Sequence, residues 1–191
     1  MEIILASASP RREELLRQVD CKFSIITSDI VEDNEQDMPP AELAVLHASA
    51  KALDVASKHN GPEALVIGAD TIVVLDNRVY GKPRDEKDAE RMLHELQGQE
   101  HQVISGVAVV YKGEIWTDYA VTRVVLRALS AEEVKRYIAT GEPLDKAGAY
   151  AIQGVGALLV EEITGSYTNV VGLPLTTLNN LLLRSAGVGL L

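Results

Sequence analysis

Short apolar runs alternate along this chain with stretches in which apolar residues recur every three or four positions. The first kind reads as buried strand, the second as helix. Ile3-Ile4-Leu5 is a buried strand, and it leads to Ser9-Pro10, an N-cap followed by a proline at the first helical position. Leu15, Leu16 and Val19 give that helix its inner face. Phe23 to Thr27 is a second strand. A helix opens at Pro39-Pro40, with Leu43, Leu46, Ala50 and Leu53 at helical spacing, and Asn60-Gly61-Pro62 closes it. Leu65 to Ile67 and Ile72 to Leu75 are two buried strand runs on either side of Asp70. Asp76-Asn77 is a two-residue hairpin turn. If residues 75 and 78 close it, Thr71 falls opposite Lys82, and Asp70 lies near Gly81-Lys82-Pro83 as an ion pair at minimum.

Asp85 caps the next helix, with Ala89, Met92, Leu93 and Leu96 inside and Gly98 as its stop. His101 to Tyr111 and Glu114 to Leu126 read as long paired strands around Lys112-Gly113. Ser130-Ala-Glu-Glu133 is a capping box for a helix that stops at Gly141. A polar loop with Gly148, Gly154 and Gly156 follows, then a strand from Ala157 to Ile163. A last helix starts at Gly172-Leu173-Pro174 and carries Leu178, Leu181 and Leu182. Together the pattern is α/β.

Four places in this pattern hold chemistry. Asp70 lies in apolar surroundings, where an unpaired carboxylate costs several kcal/mol. It is either a structural acid turning the chain or a metal-binding or general-base carboxylate. Gly68 before it permits close approach of a backbone or a ligand. Ser7-Ala-Ser9-Pro-Arg11-Arg12 brings two hydroxyls and two guanidinium groups to a helix N-terminus, which is either an anion site or a capped helix with solvated arginines. Lys51 lies near the face of Leu43 and either snorkels to solvent or points at a phosphate. In the loop from Gly141 to Gly156, long enough to suggest function, Gln153 offers both a donor and an acceptor to a base edge. The acids Asp29, Glu32, Asp33, Glu35 and Asp37 read mostly as solvated loop charges, with room for one to turn inward. His47, His59, His94 and His101 lack metal-ligand spacing and read as structural or surface residues.

Composition narrows the classes. The net charge of −10 argues against a nucleic-acid binder that works by broad phosphate neutralisation, yet leaves room for a small phosphorylated ligand held by a local cluster of cations. Cys21 is the one cysteine, so no intrachain disulfide forms, in keeping with a reducing cytoplasm. No apolar run approaches the ~18 residues of a membrane span.

Five separated blocks, Leu5-Ala-Ser-Ala-Ser-Pro-Arg-Arg12, Gly68-Ala-Asp-Thr71, Gly81-Lys-Pro83, Asp145-Lys-Ala-Gly-Ala-Tyr-Ala-Ile-Gln-Gly154 and Val171-Gly-Leu-Pro174, resemble the Maf family of nucleoside triphosphate pyrophosphatases. The resemblance runs from Ile3 to the last helix and treats residues 1–191 as a single domain. It implies an elongated mixed twisted β-sheet flanked by helices, with a central substrate cleft, like the inosine triphosphate pyrophosphatases. It implies cleavage of a nucleoside triphosphate between the α and β phosphates, a divalent cation (Mg²⁺ or Mn²⁺) and a homodimer; the cysteine usage adds the expectation of a cytoplasmic location.

Matched by position, Asp70 is the family's catalytic acid, and Asp70 and Glu32 are the metal-binding acids. Ser7, Ser9, Arg11, Lys51 and Lys82 are phosphate contacts. Arg12, Thr71 and Gln153 set base choice. The Tyr150-to-Gly154 block looks like the branch acting on dTTP and UTP; Ala151 stands where that branch more often has Gly. A rival from another class is a nucleotide-binding regulator without turnover, since the family has been linked to septum formation. An inosine or xanthosine triphosphate pyrophosphatase is a second rival, and its purine pocket disagrees with the Thr71 and Gln153 pair.

Overall fold

The computed structural model describes every residue except Glu35, Asn60 and Pro62. One acid of the 29–37 segment and two residues of the expected helix stop at 60–62 therefore lie outside the described residues. In chain order the elements are β1 (Ile3–Leu5), α1 (Pro10–Gln18), β2 (Ser24–Ile25), α2 (Pro40–Lys58), β3 (Leu65–Leu75), β4 (Arg78–Tyr80), α3 (Glu86–Leu96), β5 (Glu100–Tyr111), β6 (Glu114–Leu126), α4 (Ala131–Ala139), β7 (Val160–Thr164), α5 (Tyr167–Val171) and α6 (Leu175–Ala186). Three 3₁₀ turns occupy the glycine-bearing loop between α4 and β7.

The strands form one mixed sheet in the order β2-β1-β3-β5-β6-β7, with β4 paired to β3. β1 runs parallel to β2 and β3, while β4 and β7 run antiparallel to β3 and β6. The two apolar runs around Asp70 are one eleven-residue strand, buried along most of its length. The hairpin register is the expected one: Leu75 pairs with Arg78, Val74 with Val79 and Val73 with Tyr80. Asp76 and Asn77 have φ of 49° and 64°, the left-handed pair that a tight hairpin turn needs. The capping box at Ser130 is present in both directions, and Asp85 caps α3 by accepting from the Asp88 N–H. Ser9 occupies the N-cap of α1, but its side chain makes no capping bond.

Two compact units divide the chain. One comprises residues 1–71, 105–120 and 172–191; Ile4, Ala48, Ala52, Val55, Val66 and Ala108 are in its core. The other comprises residues 72–104 and 121–171, and α3 and α4 pack there around Val73, Leu93, Leu126, Val134 and Tyr137. Among the described residues no helix is long and apolar enough to cross a membrane.

Helix α2 departs from the sequence expectation. Its buried residues are Leu43, Ala44, His47, Ala48, Lys51, Ala52 and Val55, whereas Leu46 and Leu53 are exposed. The reason is the distance between helix and sheet. A Cβ placed on Gly68 of β3 would sit 2.1 Å from the Ala48 carbonyl oxygen, so the helix backbone rests on the strand with only alanines between them. Leucines do not fit that gap, and the helix turns its alanine stripe inward. This close approach brings His47 and Lys51 to the strand that carries Asp70. Gly68→Ala is expected to cost about 3 kcal/mol, because backbone rather than a flexible side chain must move, and to lower Tm by roughly 6–12 °C. A thermal melt within a degree of wild type would show that the contact is not tight.

Candidate active site

Asp70 is 3% exposed and carries two donors, one on each oxygen. The Lys51 ammonium donates to Oδ1 at 2.6 Å, and His47 Nδ1 lies 3.3 Å from Oδ2. Lys51 also donates to Glu32 Oε1 at 2.5 Å, so one buried ammonium joins a strand carboxylate to a loop carboxylate. Burial alone pushes the Asp70 carboxyl up. The His47 hydrogen bond, the charges of Lys51 and Arg12 and the Lys51 hydrogen bond outweigh it, and the pKa falls to about 2. Asp70 is therefore an ionised carboxylate at neutral pH. Its hydrogen bond to Asp70, offset in part by burial, pushes the His47 pKa up.

Beside it, Arg12 reaches inward from the first turn of α1. Its Nε donates to the Gly172 carbonyl at 2.8 Å, and its two terminal nitrogens donate to Ser7 Oγ at 3.1 Å and Thr71 Oγ1 at 3.2 Å. Thr71 also lies 2.8 Å from Ser105 Oγ and 3.3 Å from the Gly172 carbonyl. Burial lowers the Arg12 pKa, against the pull of Asp70 and Glu32. Ser7 is buried and accepts from the Ser9 N–H at 3.2 Å. Arg11 is half-buried on the same turn. Asp70, Glu32, Lys51, Arg12, Thr71, Ser7 and Ser9 thus gather in one unit, where two carboxylates face two buried cations.

The loop that brings Glu32 inward is fastened at its start. Asp54 of α2 accepts from Ser28 Oγ and the Asp29 N–H, and Lys58 bridges Asp29 and Asp54. Asp70 finds its cation in Lys51 and not in the Lys82 that the hairpin register indicated. Lys82 follows β4 in the other unit and is exposed.

Gln153 also belongs to the other unit and is half-buried, and among the described residues its amide has no hydrogen-bond partner. The backbone around it is pinned. Glu142 accepts from the Val155 and Gly156 N–H groups and from the Tyr137 hydroxyl, which in turn accepts from the Ala151 N–H. The Tyr150 hydroxyl lies 2.7 Å from buried His101 Nε2. A Cβ on Gly154 would meet Glu142 Oε2 at 2.5 Å, and its φ of +63° is left-handed, so the residue after Gln153 is held to glycine twice over.

Two groups of residues escaped the sequence reading. Nothing in the spacing of Tyr137, Glu142 and His101 announces that they brace the Gln153 loop. His47 did leave a trace: it stands four residues before Lys51 and four after Leu43, on one face of one helix.

The chain matches the Maf-like protein family model over residues 2–185. It is 47% identical over 192 residues to a dTTP/UTP pyrophosphatase of Clostridioides difficile, covering all of this chain and 98% of that protein. It is 50% identical over 182 residues to a dTTP/UTP pyrophosphatase of Gloeobacter violaceus, covering 95% of each. Among solved structures it is similar to the Staphylococcus aureus Ham1 protein, with a TM-score of 0.45 and 14% identity over 66% of this chain and 72% of that one. A family match over residues 2–185, with relatives 47% and 50% identical over 95% or more of the chain, places this chain in the Maf family.

Proposed function

We propose that this chain hydrolyses dTTP and UTP between the α and β phosphates, releasing a nucleoside monophosphate and pyrophosphate. The observation that carries the reading is Asp70, buried yet ionised and set among Lys51, Arg12 and Glu32. Fixed cations held beside a carboxylate suit attack on a phosphoric anhydride, where negative charge must be tolerated and a water oriented. The pyrimidine substrates follow the two named relatives, near-identical in length to this chain.

In this reading Asp70 orients or deprotonates the attacking water. Lys51, Arg11 and Lys82 neutralise the phosphates, and Ser7 and Ser9 add hydroxyl contacts to them. Lys82 and Gln153 take their roles from the motif match alone. Among the described residues no three acidic, imidazole or thiol groups form a preformed metal cage. Asp70 and Glu32 nonetheless converge on a single ammonium, a donor set that fits Mg²⁺ or Mn²⁺, which draw most of their ligands from water and phosphate. Asp70 and Glu32 would hold that cation, which when bound polarises the phosphoryl group and acidifies water. Residues 1–191 act as one pyrophosphatase domain. The homodimer implied by the motifs and the cytoplasmic location expected from the cysteine usage belong to the same proposal, and sedimentation of the purified chain checks the former.

Arg12, Thr71 and Gln153 choose the base. The Gln153 amide offers one donor and one acceptor to the imide edge of uracil or thymine. Cytosine presents a different pattern, with an amino group in place of one carbonyl, and a site built on specific hydrogen bonds loses roughly 1–3 kcal/mol for each group the wrong base leaves unpaired. A panel of nucleoside triphosphates with Mg²⁺ or Mn²⁺, read by pyrophosphate release, is expected to rank dTTP and UTP well above CTP and the purines. Gln153→Ala is expected to narrow that spread more than it lowers the best rate. CTP or GTP cleaved as fast as UTP by the wild-type chain would contradict the base assignment.

A further inference from the structure

His47 is 3% exposed and is a buried titratable group that the proposed reaction does not use. It is more than a packed ring. Nδ1 lies 3.3 Å from Asp70 Oδ2, and Nε2 lies 3.1 Å from the backbone carbonyl of Asp33, the residue after Glu32. Both partners are acceptors, so the ring spans from the acid-bearing loop to the carboxylate of β3. It shares one face of α2 with Lys51, four residues on, and the two side chains divide the carboxylate: Lys51 takes Oδ1 and His47 takes Oδ2.

We propose that His47 is a positioning residue that fixes the rotation of the Asp70 carboxylate and ties it to the loop carrying Glu32. The inference rests on the reading of Asp70 given above. The terminal torsion of an aspartate is broad, and a single donor on one oxygen leaves the other free to swing. The Lys51 bond, at 2.6 Å, is the shorter of the two. The longer His47 contact supplies the direction, because a second donor on the second oxygen defines the carboxylate plane. A water-orienting carboxylate held in one plane presents the same lone pair on every turnover, and partners of this kind behind a reacting carboxylate are commonly worth 10–100-fold in activity.

Steady-state kinetics on dTTP test this with three substitutions at one position. His47→Leu keeps the bulk and removes both contacts. His47→Asn puts an amide N–H near the place of Nδ1, facing Asp70. His47→Gln puts one near the place of Nε2, facing the Asp33 carbonyl. His47→Leu is expected to lower kcat about 10–100-fold with KM changed less than about three-fold. His47→Asn is expected to recover most of kcat, and His47→Gln is expected to stay with His47→Leu. A kcat for His47→Leu equal to wild type, or for His47→Gln equal to or above His47→Asn, overturns the proposal. If His47→Leu fails to fold, the order of the two polar variants decides. Wild type and Asp70→Asn run alongside separate the layers. An inactive wild type, or an Asp70→Asn variant as active as wild type, overturns the reading of the site and this inference with it. With both controls as expected, the His47 series stands or falls alone.

Discussion

Asp70→Asn is expected to lower turnover of dTTP and UTP by about 10²-fold or more at saturating Mg²⁺ while the chain stays folded. The amide keeps the shape of the carboxylate and still accepts from Lys51, but it has neither the charge to hold a cation nor the basicity to take a proton. Lys51 keeps Glu32 as a counter-ion, so the loss of stability is modest. The alternative of a structural acid makes the opposite forecast, a less stable chain with near-normal turnover. Melting curves and pyrophosphate release on the same preparation distinguish the two. The pH dependence has a definite sign. The Asp70 pKa is depressed from 3.8 to about 2, so the stability its ionic contacts contribute is complete above about pH 4 and is lost as pH falls through about 2. The stability gap between wild type and Asp70→Asn is expected to close across that window.

Lys51→Met is expected to damage both stability and activity. The ammonium is the bridge between Asp70 and Glu32, with its side chain about one-tenth exposed. Methionine matches its length and leaves two carboxylates facing each other over the vacated point. Removing one partner of a buried pair costs 3–5 kcal/mol, and because Glu32 is partly exposed the expected loss is about 3 kcal/mol. In a chain of this size that corresponds to roughly 6–12 °C in Tm. Asp70 loses the Lys51 charge and gains a nearby like charge, so its pKa rises. Turnover falls by about 10²-fold, as when one preorganised positive donor is taken from a phosphoryl site. Denaturant unfolding at pH 7 and near pH 3 checks the electrostatic origin: the deficit of the variant shrinks at the lower pH. A deficit of equal size at both would mean that Lys51 contributes packing rather than charge.

Local features were legible because local chemistry decides them. Asp76-Asn77 announces a left-handed turn, and the turn sets the register of β3 and β4. Ser130 and Glu133 spell their own capping box. Asp70 stood out because an acid inside eleven otherwise mostly apolar positions must be explained. Its partners were harder to read. Lys51 lies 19 residues away and His47 lies 23 away, and only the packing of α2 on β3 brings them together. That packing was itself misread from Leu46 and Leu53, since a hydrophobicity pattern favours large residues while the close approach at Gly68 selects small ones. His47 was set aside for lack of metal-ligand spacing, although its partner is a carboxylate. Thr71 and Arg12 were found through their motifs, but their joint attachment to the Gly172 carbonyl depends on a residue a hundred positions further along.

The central claim is that ionised Asp70 drives water onto the α–β anhydride of a pyrimidine triphosphate. Phosphorus NMR of dTTP incubated with Mg²⁺ and either the wild-type chain or Asp70→Asn tests it most directly, because it identifies the bond cut as well as the rate. The account predicts dTMP and pyrophosphate from the wild-type chain and almost no product from Asp70→Asn over the same time. Products of dTDP and phosphate, or pyrophosphate formed at an undiminished rate by the variant, would contradict it.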